Sequence, residues 1–114
     1  MRNVLVVCSF ILFCSCSSGV KLSFKNNSGE FFKKITAQIG KNKYDFENVA
    51  SGQKTRAVKI EGSYRYCPLK IVTDKDTLIF RPTDYVGEKF YKSGRLQMKL
   101  SIWVYEDRRY INID

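Results

Sequence analysis

Apolar and polar residues alternate with a period of two over most of the chain, and no window sustains the longer period of an amphipathic helix. Val20, Leu22 and Phe24 alternate with Lys21, Ser23 and Lys25, and Asn26-Asn27-Ser28-Gly29 then marks a turn. Ile35, Ala37 and Ile39 alternate with Thr36, Gln38 and Gly40, and the run Gly40-Lys41-Asn42-Lys43 reads as a tight hairpin into Tyr44-Asp45-Phe46. A loop over 48–53 leads to a strand over 55–60, and further strands are predicted over 69–73 and 77–80, joined by a turn at 74–76. The clearest strand comes late. Leu96, Met98, Leu100, Ile102 and Val104 alternate strictly with Arg95, Gln97, Lys99, Ser101, Trp103 and Tyr105. Its first set predicts a core face and its second a basic, aromatic face. Residues 106–109 turn the chain, and 110–113 close it as a short strand.

Short strands at near-regular spacing, punctuated by Gly, Asn and Ser turns, predict an all-β fold: a single antiparallel β-sandwich, immunoglobulin-like or transthyretin-like, of seven to eight strands. One stretch breaks the rhythm. Residues 81–94 form a long connection rich in aromatics, which in a sandwich crosses from one sheet to the other. Its Tyr85, Val86 and Phe90 either plug an open end of the sandwich or serve binding.

The N-terminal segment has a different character. Arg2 precedes ten apolar or small residues, 4–13, too few to span a bilayer, which needs about 20. Phe13-Cys14-Ser15-Cys16 follows. With an apolar residue three places before a cysteine and a small one just before it, this segment resembles the signal of bacterial lipoproteins. The resemblance implies cleavage after Ser15, leaving residues 1–15 as a signal peptide, with Cys16 as the lipidated first residue of the mature chain. It also implies a diacylglyceryl group, with a further N-acyl chain. Each buried acyl CH₂ contributes about 0.8 kcal/mol, so such an anchor is effectively permanent.

Residues 16–19 then form a short tether and 20–114 the folded domain. Since a residue spans at most about 3.6 Å, the domain is expected within roughly 15 Å of the membrane. Cys8 and Cys14 leave with the signal and Cys16 carries lipid, so Cys67 is the one remaining thiol and the mature domain has no internal disulfide. It is expected as a small core residue, the alternative being a reactive thiol.

The turn at 48–53, the Tyr64-Arg65-Tyr66 triplet and the sequence Asp84-Tyr85-Val86-Gly87-Glu88 ahead of the last long strand resemble small lipoproteins of Bacteroidetes. That resemblance implies an outer-membrane lipoprotein with a short β domain, and no activity. Members exported to the cell surface carry acidic residues just after the lipidated cysteine. Ser17-Ser18-Gly19 lacks them, which points to the periplasmic face.

Charge narrows the partners. Removing residues 1–15 from 114 leaves 99, and Arg2 leaves with them, so 19 basic and 11 acidic groups give +8. Such a surface attracts anionic headgroups, lipopolysaccharide phosphates or acidic glycans, although spread lysines also serve solubility. An exported chain is not expected to meet nucleic acid. With no histidine, the Ser-His-Asp and Cys-His arrangements and histidine metal sites are excluded. Asp74, Asp76, Asp84 and Glu88 fall in turns or the long connection, where turn and cap roles account for them. The expectation is therefore no catalytic residues, no metal and no cofactor.

Aromatics remain. Phe24, Phe46 and Phe80 fall on core positions, whereas Trp103 and Tyr105 share a face with Arg95 and Lys99. Arg95, Lys99, Trp103 and Tyr105, with Tyr85 of the long connection, are the candidate binding residues, since Trp, Tyr and Arg are favoured at interfaces. The sequence thus describes a membrane-anchored, non-enzymatic binding or assembly module of the cell envelope. An envelope protein is the first partner expected. A glycan is the second, and a toxin or hydrolase held by an inhibitor or immunity protein is the third.

Overall fold

A computed structural model describes residues 19–114; the expected signal peptide, Cys16 and most of the expected tether lie outside the described residues. Eight strands follow one another: β1 (Gly19–Asn26), β2 (Phe32–Ile39), β3 (Asn42–Val49), β4 (Val58–Ile60), β5 (Leu69–Thr73), β6 (Thr77–Phe80), β7 (Ser93–Tyr105) and β8 (Arg108–Ile113). They form two four-stranded sheets, in the order β4-β1-β7-β8 for sheet A and β3-β2-β5-β6 for sheet B.

The period-two pattern decides what lies between the sheets. Val20, Leu22 and Phe24 of β1 and Leu96, Met98 and Leu100 of β7 face Phe32, Ile35 and Ala37 of β2, Phe46 of β3 and Leu69 and Ile71 of β5, all buried. Burying each of these side chains larger than Ala37 stabilises the fold by about 1.5–3 kcal/mol. The all-β sandwich expected from the sequence is therefore present, with one departure from a fully antiparallel arrangement. β1 and β7 run parallel, with Gly19 opposite Ser93 and Asn26 opposite Leu100, while all other strand pairs are antiparallel.

Strand boundaries shift where turns end early or late. β2 begins at Phe32, with a bulge between Phe32 and Lys34, rather than near Ile35. The segment expected as a strand over 55–60 narrows to Val58–Ile60, preceded by a single bridge between Lys25 and Lys54. The long connection does pass from sheet B to sheet A, and it is tied down on the way by a bridge between Ser63 and Tyr91. Gly62 permits that approach, because a Cβ there would lie 2.8 Å from the Tyr91 carbonyl oxygen and 2.6 Å from the Phe90 ring.

Asn26 continues the inward phase of β1 and is fully buried although polar. Its Nδ2 donates to the carbonyls of Glu30 (2.8 Å) and Val49 (2.9 Å), and its Oδ1 accepts from the Ser28 amide (2.9 Å) and hydroxyl (2.6 Å). Every polar atom of that side chain is thus satisfied, and the end of β1 is fastened to β3 and to the turn into β2. Cys67 also lies in the core, as expected, with its sulfur 3.9 Å from that of Met98. Burial pushes its thiol up to about 12, so it carries no thiolate near neutral pH.

Candidate functional site: the outer face of sheet A and its hairpin

β1 stops at Asn26, opposite Leu100, and from there on β7 is accompanied by β8. The result is a two-stranded ribbon. Its pairs run Ser101 with Asn112, Ile102 with Ile111, Trp103 with Tyr110, Val104 with Arg109 and Tyr105 with Arg108. Glu106 and Asp107 close it with φ of 51° and 64°, the left-handed pair required by a two-residue hairpin whose twist matches its strands.

Alternation gives the ribbon two unlike surfaces. Outward lie Trp103, Tyr105, Arg108 and Tyr110. Inward, Ile102 and Ile111 still pack on the sandwich, but Val104 overruns it and is 67 % exposed, which corrects the expectation that it belongs to the core. Trp103 (62 %), Tyr105 (67 %) and Tyr110 (46 %) are also exposed, so the ribbon exposes apolar side chains on both sides.

Arg109 sets the ribbon's position. It occupies an inward position of β8, and its guanidinium donates to both Glu30 oxygens (2.6 and 2.8 Å) and to Asp76 Oδ2 (2.9 Å). Asp76 Oδ1 in turn accepts from the Thr73 hydroxyl at 2.7 Å. The ribbon, the β1–β2 turn and the β5–β6 turn are thereby joined through one side chain. The Arg109 hydrogen bonds hold both carboxyls below the usual carboxylate range and raise the guanidinium pKa further. Asp76 and Arg109, expected only as turn residues, therefore carry a structural contact between the sheets.

Six of the remaining outer positions of sheet A are basic. Lys59, Lys21 and Arg95 stand side by side in register across β4, β1 and β7. Four residues further along, Lys54, Lys25 and Lys99 form a second such set. Ser23 and Gln97 lie between the two rows. Among the described residues none of these six cations pairs with a carboxylate. Asp114 is hydrogen-bonded through its backbone to Lys99 but makes no ion pair with it.

Four of the five candidate residues, Arg95, Lys99, Trp103 and Tyr105, share one face of β7 and are exposed. Tyr85 joins a different cluster. Its ring stacks on Tyr64 (4.1 Å between centroids) and on Tyr66 (5.2 Å), while Phe90 meets Tyr64 edge-on at 5.0 Å. The aromatics of the long connection thus hold that connection against the 64–66 segment. Beside Gly19, at the end of the sandwich opposite the ribbon, an open cleft is lined by Ile39, Lys41, Tyr44, Lys59, Phe90 and Lys92.

Comparison with family models, with curated proteins and with solved structures finds no match. The sandwich thus presents an exposed aromatic ribbon at one end and a cation-rich face along sheet A.

Proposed function

We propose that the protein is a non-enzymatic binding module of the cell envelope, anchored through lipid on Cys16 at the periplasmic face of the outer membrane, whose β7–β8 ribbon is held by an envelope protein. The exposure of Trp103, Tyr105 and Tyr110 on one side of the ribbon and Val104 on the other carries this reading. A ribbon with exposed apolar side chains on both sides is buried by a groove that encloses it. A folded protein supplies such a groove, whereas a flat sugar chain covers one side only. Trp and Tyr are also the residue types that dominate interface energy when buried.

The parallel pairing of β1 with β7 supports an outward orientation. Gly19 lies opposite Ser93, twelve residues before the end of β7 at Tyr105, so the ribbon tip stands about 40 Å from the tether end of the sheet. A domain held at residue 16 would therefore extend the tip away from its own membrane, toward a neighbour.

The test is cross-linking in living cells with the full-length lipidated protein, with a photoreactive residue placed at 103 and, as a control, at 70 on sheet B. One envelope protein captured stoichiometrically from position 103, not from 70, and lost in Val104→Ser/Tyr110→Ala, is the expected result. Equal capture of background proteins from both positions overturns the reading. Replacing Cys16 by Ser is expected to release the protein from the membrane fraction, and retention there would refute the anchor.

A further inference from the structure

We infer that the outer face of sheet A is a second, separate binding surface, and that its ligand is an anionic polysaccharide, a chain of sugar rings carrying carboxylate, sulfate or phosphate groups. The inference rests on the cation rows and is independent of what the ribbon tip binds.

The rows are an electrostatic liability to the fold alone. Neighbouring strands lie about 4.8 Å apart, so Lys59, Lys21 and Arg95 present three like charges within about 10 Å across the sheet, and Lys54, Lys25 and Lys99 repeat this about 13 Å along it. Like charges directly opposite one another destabilise a sheet. Sheet B shows that this chain can place acids against its bases, since Lys34 and Thr36 both reach Asp45 on its outer face. A ligand that supplies the missing negative charge converts the repulsion into binding.

The groups between and beyond the rows specify the kind of polyanion. Ser23 and Gln97 lie between the rows, and Ser101 and Asn112 lie beyond the second. Cations interleaved with neutral hydrogen-bonding side chains match a polymer that alternates charged groups and hydroxyls. An anionic bilayer suits the face less well. Membrane-bound surfaces insert apolar side chains among the headgroups, and no large apolar residue lies on this face between Lys21 and Lys99.

The experiment uses the full-length lipidated protein reconstituted in neutral phosphatidylcholine vesicles. Lysine acetylation is mapped by mass spectrometry with and without polygalacturonate, heparin or neutral dextran. Both anionic glycans are expected to protect Lys21, Lys25, Lys54, Lys59 and Lys99, to leave Lys34, Lys43 and Lys70 of sheet B reactive, and to lose their effect in high salt. Dextran is expected to protect none. The variant Lys21→Gln/Lys25→Gln/Lys54→Gln/Lys59→Gln should bind either glycan about tenfold or more weakly. Its melting temperature should be no lower than that of the parent, and it should keep the cross-link formed from position 103.

Uniform protection of both sheets, or none, overturns the proposal. So does equal protection from phosphatidylglycerol vesicles without glycan, which would assign the face to the bilayer. Because the footprint needs no variant, it stands even if the fourfold substitution fails to fold. Loss of the cross-link at 103 with the footprint intact would remove the envelope-protein reading and leave this one standing.

Discussion

The two sheets have the same number of strands and share one core, yet their outer faces differ in electrostatic design. Sheet B turns out Lys34, Lys43 and Lys70 together with Asp45 and Glu47, and it sets acids against a base: Lys34 stands opposite Glu47 and lies 3.8 Å from Asp45, which also accepts from Thr36 at 2.7 Å. Sheet A turns out six cations in two rows and pairs none of them with an acid among the described residues. Within a single chain, the mixed face is what sheet stability favours, and the cation-rich face is what it tolerates. Sheet A is therefore the face whose composition asks for a reason outside the fold.

The comparison presumes that both faces rest on one cooperative unit, which the largest effect tests. Asn26→Leu removes four hydrogen bonds around a fully buried position, and is expected to cost about 3 kcal/mol. Urea unfolding followed by Trp103 fluorescence and by far-ultraviolet circular dichroism should shift together, whereas separated transitions would mean that the sheets are independent.

Arg109→Ala comes next, at about 1–2 kcal/mol for an ion pair a fifth to a third exposed. Its pH dependence has a definite sign. Arg109 depresses the pKa of Glu30 and of Asp76, so their contribution is complete above the ordinary carboxylate range and is lost as pH falls through their lowered values. The stability gap between parent and variant should be constant near neutrality and close in acid. A gap that persists after both carboxyls are protonated would assign the effect to packing.

Reversing one charge on each face sharpens the contrast directly. Lys21→Glu places an acid between Lys59 and Arg95 and should raise the melting temperature by about 2 °C, whereas Lys34→Glu loses Asp45 and faces Glu47, and should lower it by about as much. Equal shifts of one sign would end the argument from row repulsion. The smallest effect is on Cys67. It should resist thiol reagents in the native state at neutral pH and react only as the sandwich opens, since burial holds it protonated; fast native labelling would contradict its place in the core.

Much of this was legible in the sequence, because alternation identifies which residues point inward. The strand faces over 20–24, 96–102 and 110–113 follow from it, as does the exposure of Arg95, Lys99, Trp103 and Tyr105. Alternation does not say which strands are neighbours, so neither the parallel β1–β7 pair nor the lateral alignment of Lys59, Lys21 and Arg95 could be read from it. Nor does it say where a sheet ends, which is why Val104 has a core phase and an exposed position. Two signals were present in the pattern. Asn26 continues the phase of Val20, Leu22 and Phe24, and Arg109 shares the phase of Ile111 and Ile113. A polar residue on an inward position needs partners, and both have them.

The parallel pairing of β1 with β7 also governs the order of assembly. Sheet B takes all four of its strands from between Phe32 and Phe80, a stretch interrupted only by the short β4, whereas sheet A takes β1 from before that stretch and β7 and β8 from after it. Gly19 meets Ser93 across most of the chain, a separation that slows folding because the closing segment must exist before the contact can form. While the chain emerges N-terminus first, from a ribosome or through a pore, Val20, Leu22 and Phe24 stay without their central neighbour until Leu100 has emerged. The strand that arrives first is the last to be enclosed, and over that interval its apolar side needs a chaperone or a speed of emergence that outruns aggregation.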